Sequence, residues 1–251
     1  MIPSGTEPLP AAILAARTLV LVGHFGSGKT EIAVNLAYRL RERGEAVTLV
    51  DLDVVKPYFR SRGLIDDLEA KGVRLVAPRD EFAHADLPIV VPEVRGAVGQ
   101  AAAGLRRVIF DVGGADVGAR VLGSIPGLGD PATTDVLFVV NGNRPFAETT
   151  EAIVPMLREI ERVSRLQVRG LVANTHLMHE TTVQTVCDGI ALAASVGGAT
   201  GLPVRFCAVS ADLADAVRVQ APGVPLLALE RHIMPPLEVR RAGSRRRSSV
   251  L

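Results

Sequence analysis

The sequence predicts an α/β fold with three layers, in which a mainly parallel sheet is covered by helices on both faces. Three observations support this class. Strand and helix patterns alternate along the chain, several apolar runs have the length of buried strands, and polar residues collect where those runs end. At 251 residues, the chain is long enough for one sizeable domain of this kind.

The first half of the chain opens with TLVLV (18–22), a fully apolar run typical of buried parallel strands. The helix that follows carries its apolar residues on one face and closes at Gly44. AVTLVDLDVV is a second strand that ends in two acids, and KPYFRSR after it is turn-like. GLIDDLEAKG then predicts a short helix, and VRLVA a short strand.

The second half continues the alternation. RRVIFDV, TDVLFVVN, VRGLVANT and PVRFCAVS predict strands, VPLLAL a short last one, and helices are expected near 146–164 and 180–196. We therefore divide the chain into an N-terminal extension (1–16), one domain (17–235) and a basic tail (236–251) that we expect to be disordered.

Composition excludes several classes of protein. A net charge of +1 gives no strong nucleic-acid signal, and the two distant cysteines do not suggest a disulfide framework. No apolar run is long enough for a transmembrane segment, and the N-terminus lacks the basic region of a signal peptide, so we expect a cytoplasmic protein. Only three lysines accompany 25 arginines, and one of them lies in the motif described next.

Residues 23–30, GHFGSGKT, match the phosphate-binding pattern G-x-x-x-x-G-K-[ST] in the strand–loop–helix setting that it requires. In such a loop, backbone N–H groups approach phosphate oxygens, the lysine reaches the β- and γ-phosphates, and the hydroxyl binds Mg²⁺. The sequence therefore predicts a P-loop NTPase fold that binds a nucleoside triphosphate. The predicted binding residues of this loop are Gly23, Gly26, Ser27, Gly28, Lys29 and Thr30.

Acids at the ends of two strands predict a metal and water site. Asp111 ends an apolar strand, as a Mg²⁺-binding Walker-B acid does. Gly114 completes a D-x-x-G pattern, in which its backbone N–H would sense a γ-phosphate; the alternative is a simple strand-to-turn junction. Asp51 and Asp53 are two residues apart and face the same side of an extended strand. We expect Asp51 to fix the metal's water shell and Asp53 to orient the attacking water, the alternative being a solvated strand end.

The pieces GHFGSGKT, VDLDVV, IFDVGG and LVANT occur in the order found in the MinD/ParA-type deviant P-loop ATPases of the SIMIBI class. The chain resembles that group from residue 18 to about 210, and within it looks like a bacterial subfamily of predicted ATPases. Relatives of the group act in cobyrinate amidation and metallocofactor assembly. The resemblance implies ATP and Mg²⁺ as cofactors and a nucleotide-dependent homodimer.

The resemblance also implies roles for individual residues. Asn174 matches the asparagine that reads adenine, and its amide supplies both a donor and an acceptor, although a turn-forming asparagine is the alternative. Positions that match the nucleotide, magnesium and switch residues of the group are Lys29, Thr30, Asp51, Asp53 and Asp111. Of these, Lys29, Asp53 and Asp111 are the candidate catalytic residues.

The chain departs from related families at two places. His24 stands where MinD/ParA proteins carry an extra lysine that reaches across the dimer, and is either a cross-subunit donor or a loop residue whose side chain matters little. The loop also resembles that of nickel-insertion GTPases, which need N-K-x-D to bind guanine. NTHL has Leu177 at the aspartate position, and because leucine cannot accept those hydrogen bonds, ATP is favoured.

Three weaker signals remain open. His84, His176 and His179 are either ligands of a metal site or solvated loop residues. The segment Lys56–Arg62 either binds an acidic substrate or partner or forms a solvated turn. Glu31 is expected to favour the start of the helix after the loop, because it lies near the positive end of the helix dipole.

Together these patterns predict a Mg²⁺-dependent ATP-binding protein and slow ATPase that acts as a nucleotide switch for an unidentified protein client, in an accessory or maturation role. One alternative is a nucleotide-dependent scaffold or partitioning-type dimer in which hydrolysis is vestigial. A metallochaperone GTPase is a further alternative. Ligase chemistry of the cobyrinate type would require an additional glutamine-hydrolysing domain.

Overall fold

The computed structural model describes residues 8–52, 62–77, 91–113 and 117–233. Within these residues, eight strands form one sheet in the order β3-β2-β4-β1-β5-β6-β7-β8, and every neighbouring pair is parallel. The strands are β1 Thr18–Gly23, β2 Val47–Asp51, β3 Arg74–Val76, β4 Arg107–Asp111, β5 Thr134–Val140, β6 Gly170–Ala173, β7 Val204–Ser210 and β8 Leu226–Leu229.

Helices cover both faces of this sheet. Over the described segments they are α1 Ala11–Ala15, α2 Lys29–Glu42, α3 Arg62–Ala70, α4 Val91–Ala102, α5 Val117–Leu122, α6 Thr150–Ser164, α7 Val183–Thr200 and α8 Ala214–Gln220, with a 3-10 turn at Met178–Glu180. Core residues of α1, α2 and α3 pack together on one face, and those of α4 to α8 on the other. The three-layer α/β class predicted from the sequence is confirmed.

Four helices, α1, α4, α5 and α8, were not predicted. In α4, Gly96 and Gly99 lower the intrinsic helix propensity and hide the pattern. The helix forms because its apolar face is buried against the sheet, through Val94, Ala97, Val98 and Ala101. Tertiary packing therefore decides the structure of this segment.

Helix boundaries also differ from the predicted ones. The helix expected near 146–164 begins at Thr150, because the side chain of Thr149 accepts a hydrogen bond from the backbone N–H of Ala152 and caps it. The helix expected near 180–196 runs from Val183 to Thr200, where a capping box at Thr182 sets its start.

Sheet order brings distant parts of the sequence to one edge. Strand β1 lies between β4 and β5, with Gly23 in register with Val139, and β2 lies beside β4, with Asp51 in register with Asp111. Because all strands are parallel, the phosphate loop and both acids lie at the same carboxyl edge.

Several predicted features lie outside the described residues. They are Asp53, Gly114, His84, most of the segment Lys56–Arg62 and the basic tail 236–251. None of the helices in the described part of the chain is long and apolar enough to cross a bilayer.

Candidate functional site

The loop between β1 and α2 has the backbone conformation that its glycines permit. Gly26 and Gly28 have φ values of 73° and 91°, in the left-handed region that residues with a Cβ rarely adopt. The backbone N–H of Ser27 donates to the carbonyl of His24 at 3.1 Å, which closes a tight turn. Gly28 is the N-cap of α2, so the positive end of this helix faces the loop.

Lys29 is buried, and its ammonium group lies within the loop. Nζ donates to the carbonyl of Gly23 at 3.0 Å and to the carbonyl of His24 at 2.9 Å. These contacts hold the charge of Lys29 in the concave side of the turn, where a bound phosphate would meet it. The sequence-predicted lysine and glycines are therefore brought together as one structural unit.

Asp51 and Asp111 are buried side by side at the ends of adjacent strands. Paired residues on neighbouring strands have backbones about 5 Å apart, so these two carboxylates share one region at the carboxyl edge. Carboxylate and hydroxyl oxygens are the ligands that Mg²⁺ prefers. Asp111 lines the same cavity as Thr30, so the chemistry of this donor set fits the ion.

Asn174, directly after β6, packs against the phosphate loop. Its Nδ2 donates to the carbonyl of Ser27 at 2.7 Å, and a Cβ placed on Gly28 would lie only 2.2 Å from that nitrogen. Position 28 therefore requires glycine for two reasons: its φ is positive, and a side chain there would collide with Asn174. One donor of the amide thus holds the loop, while Oδ1 and the second Nδ2 hydrogen remain for the predicted contact with a base.

A cavity of about 440 Å³ adjoins the loop and has the size of a small-molecule site. Its wall continues from Asn174 through His176 and Met178 to the ends of β7 and β8, and includes Asp212. This wall joins the phosphate loop to a half-open cavity that is large enough for a nucleoside.

His176 contributes a neutral ring to the cavity. Burial, together with the nearby Arg144 cation, lowers the pKa of His176 to about 4, so the ring is uncharged at neutral pH. Its Nε2 lies 3.3 Å from the position of a Cβ on Gly28. Among the described residues, no three His, Cys, Asp or Glu side chains are grouped to hold a metal ion, so His176 and His179 do not form such a cluster there.

His24 is engaged locally. Its Nδ1 lies 2.8 Å from the carbonyl oxygen of Phe25, and its own carbonyl accepts from Lys29. The backbone of His24 therefore helps to hold the loop lysine, and its ring contacts the adjacent residue.

Glu31 has a structural role that the sequence did not reveal. Its carboxylate accepts from the backbone N–H of His232 at 2.6 Å and of Ile233 at 3.1 Å. Asn35 holds Glu230 through two further hydrogen bonds of 2.8 and 2.9 Å. We call residues 230–233 the C-terminal strap. Burial raises the pKa of Glu31, whereas the two N–H groups of the strap act in the opposite direction.

The strap also borders the cavity, because Glu230, Arg231 and Ile233 belong to its wall. Helix α2 thus contacts the predicted phosphate site through Thr30 and the far wall of the cavity through Glu31. No pattern in the sequence pairs Glu31 with the strap, since the two are separated by nearly the whole domain.

This loop, the paired acids and the adjoining cavity define a P-loop nucleotide-binding domain. Residues 20–196, more than half of the chain, match the CbiA family, the CobQ/CobB/MinD/ParA nucleotide binding domain. The protein belongs to this family, which confirms the resemblance seen in the sequence. No curated protein sequence matches the chain.

Solved structures with a similar fold belong to SIMIBI-class P-loop proteins. The cell division protein FtsY from Thermotoga maritima shares 19% identity, with 81% of this chain and 63% of that chain covered and a TM-score of 0.50. The signal recognition particle 54 kDa protein from Aeropyrum pernix K1, in complex with GDP, shares 20% identity over 82% of this chain and 43% of its own, with a TM-score of 0.50. Chloroplast FtsY from Physcomitrella patens shares 20% identity over 76% of this chain and 58% of its own, with a TM-score of 0.51.

At these identities the likeness concerns the fold. This chain spans less than two thirds of the length of each of these three proteins.

Proposed function

We propose that this protein binds ATP with Mg²⁺ and hydrolyses it slowly, as a nucleotide switch for a protein client, and that it forms a nucleotide-dependent homodimer. The observation that carries the proposal is the register of Asp51 with Asp111 beside a loop that encloses the Lys29 ammonium. A cation, a paired acid site and backbone N–H groups at one sheet edge are the parts that phosphoryl transfer requires.

Residues of this chain would divide the work as follows. Thr30, Asp51 and Asp111 would hold Mg²⁺, which neutralises phosphate charge when it is bound. Lys29 would move from its loop carbonyls to the β- and γ-phosphates. Asp53, two residues beyond Asp51, is proposed to orient the water whose oxygen bonds to the γ-phosphorus as the bridging P–O bond breaks.

ATP is the proposed nucleotide because Leu177 offers no hydrogen-bond acceptor where guanine-specific proteins have a carboxylate. Leu177 is half-exposed, and its backbone N–H is already bonded to Thr181 Oγ1 at 2.9 Å. Asn174 keeps an acceptor for the adenine amino group and a donor for a ring nitrogen.

A GTPase is the second candidate, because Asp212 gives the cavity wall a carboxylate. The hydroxyl of Ser210 donates to Asp212 Oδ1, which leaves Oδ2 to accept from a base. Guanine presents two adjacent donors to such a group, whereas adenine presents only its amino group.

Calorimetric titration of the purified protein with ATP and GTP, each with Mg²⁺, tests the proposal. We expect ATP to bind at least about tenfold more tightly than GTP, since unpaired polar groups on a base weaken its binding strongly. Lys29→Ala should abolish binding of both. Tighter binding of GTP that is lost in Asp212→Asn would overturn the ATP assignment, and binding unaffected by Lys29→Ala would overturn the site itself.

Measuring the rate of phosphate release from ATP distinguishes a nucleotide switch from a scaffold that only binds the nucleotide. A slow turnover that requires Mg²⁺ and disappears in Asp53→Ala supports the switch. Turnover that is unchanged in Asp53→Ala supports a scaffold with vestigial hydrolysis.

A further inference from the structure

Arg144 places a guanidinium group directly against the phosphate loop. It lies in the loop between β5 and α6, and β5 is the neighbour of β1, from which the phosphate loop begins. A Cβ placed on Gly26 would lie 3.3 Å from Nε and 3.4 Å from Cζ of Arg144. The planar group therefore rests on the loop at a position where the loop has no side chain.

Hydrogen bonds fix the backbone on both sides of Arg144. The N–H of Gly142 donates to Thr175 Oγ1 at 3.0 Å, and the N–H of Ala147 donates to the carbonyl of Arg144 at 3.0 Å. A Cβ on Gly142 would lie 2.7 Å from Leu192 Cδ2, so this segment also packs closely on α7. Arg144 thus extends from an anchored backbone, and less conformational entropy is lost when it binds a ligand.

The charge of Arg144 faces the cavity. Arg144 lines the same cavity as Lys29, Thr30 and Asp111, and its cation contributes to the lowered pKa of His176 on that wall. Within the described parts of the chain, no carboxylate forms an ion pair with Arg144, and its buried Nε has no hydrogen-bond partner. A half-buried cation in this position favours an anionic ligand.

We propose that Arg144 is a catalytic residue that contacts the phosphate chain of the bound nucleotide as a second cation from the same chain, opposite Lys29. The guanidinium fork matches phosphate oxygens, which makes arginine well suited to this contact. In hydrolysis, water bonds to the γ-phosphorus, the electron pair of the broken P–O bond stays on the diphosphate, and a proton leaves to solvent. Arg144 stabilises the negative charge that grows on the leaving diphosphate. This inference rests on the proposed function.

Arg144→Gln tests the contact, with Arg158→Gln as the matched control on an exposed part of α6 outside the nucleotide cavity. Dissociation constants are measured for the triphosphate, diphosphate and monophosphate of whichever base the wild type prefers. We expect Arg144→Gln to weaken the triphosphate and diphosphate by about tenfold or more, and the monophosphate by much less. The rate of phosphate release should fall by about 10³-fold at saturating nucleotide, the lower end of the range for arginine contacts in phosphoryl transfer.

Arg144→Lys keeps the charge without the fork, and should lie between the wild type and Arg144→Gln in both measurements. It also provides the test if Arg144→Gln does not fold. Equal losses for the monophosphate and triphosphate would place Arg144 on the nucleoside and overturn the proposal, as would unchanged triphosphate binding and turnover. A wild type that binds no nucleotide would instead refute the proposed function.

Discussion

Gly189, in the middle of α7, is a position outside the nucleotide cavity where one added methyl group should displace residues of the cavity wall. A Cβ at Gly189 would lie 2.3 Å from Cβ and 2.4 Å from Oγ1 of Thr175, closer than real Cβ contacts. Thr175 also accepts the 3.0 Å hydrogen bond from Gly142 that anchors the loop of Arg144. In Gly189→Ala, either α7 or Thr175 has to move, and both movements reach the nucleotide cavity.

Three contributions set the expected magnitude. Overpacking of a close-packed contact costs about 1–3 kcal/mol, and loss of the Thr175–Gly142 hydrogen bond about 0.5–1.5 kcal/mol. Alanine in a helix is favoured over glycine by about 0.5–1 kcal/mol. We therefore expect the free energy of unfolding to fall by about 0.5–4 kcal/mol, because the steric repulsion and the lost hydrogen bond outweigh the gain in helix propensity.

Gly198 in the same helix is the matched control. It is exposed, and nothing lies within 4 Å of the position that its Cβ would occupy. Gly198→Ala should stabilise the protein by about 0.5–1 kcal/mol through helix propensity alone. Urea unfolding followed by circular dichroism measures both variants. If Gly189→Ala were as stable as Gly198→Ala, the close approach of α7 to Thr175 would be wrong.

Three other changes test the cavity and the strap. His176→Gln should flatten the pH dependence of stability, because the pKa of His176 in the folded protein is lowered from 6.5 to about 4. The wild type should therefore lose up to about 3 kcal/mol of unfolding free energy as the pH falls through that interval. If urea titrations gave the same change of unfolding free energy with pH for both proteins, this role of His176 would be contradicted. Glu31→Ala removes the acceptor of two strap N–H groups and should destabilise the protein by about 2–3 kcal/mol, with faster amide exchange at His232 and Ile233; unchanged exchange would refute the role of Glu31. Asn174→Ala should cost about 1 kcal/mol and weaken ATP binding by at least about tenfold, and wild-type affinity would show that the Ser27 contact is dispensable.

Local patterns sufficed for the predicted class because the relevant signals are short. The apolar run of β1 and the glycines and lysine after it lie within about a dozen residues. The apolar run indicates a buried strand, and the glycines indicate a backbone conformation that other residues rarely adopt. The acid at the end of β4 was visible for the same reason. Helix α4 was missed because its propensity is poor, and only contact with the sheet compensates for its glycines.

Arg144 and Glu31 could not be recognised in this way. Each acts through a partner that is distant in the sequence, and no pattern of spacing records that β5 lies beside β1 or that β8 leads back to α2. Asp51 and Asp111 were each recognised at the end of a strand, but their adjacency depends on β2 and β4 being neighbours in the sheet. Sheet order is a property of the whole chain, and these contacts follow from it.

The strap has a practical consequence for anyone who labels or fuses this protein. Glu31 and Asn35 fasten residues 230–233 to the helix that begins at the phosphate loop, so these residues lie at the wall of the nucleotide cavity. A fluorophore attached at Ile233 would therefore lie close enough to the site to report its occupancy. A bulky fusion placed directly after that residue would be attached at the cavity wall, whereas one joined ahead of α1 would begin from the layer of α1, α2 and α3.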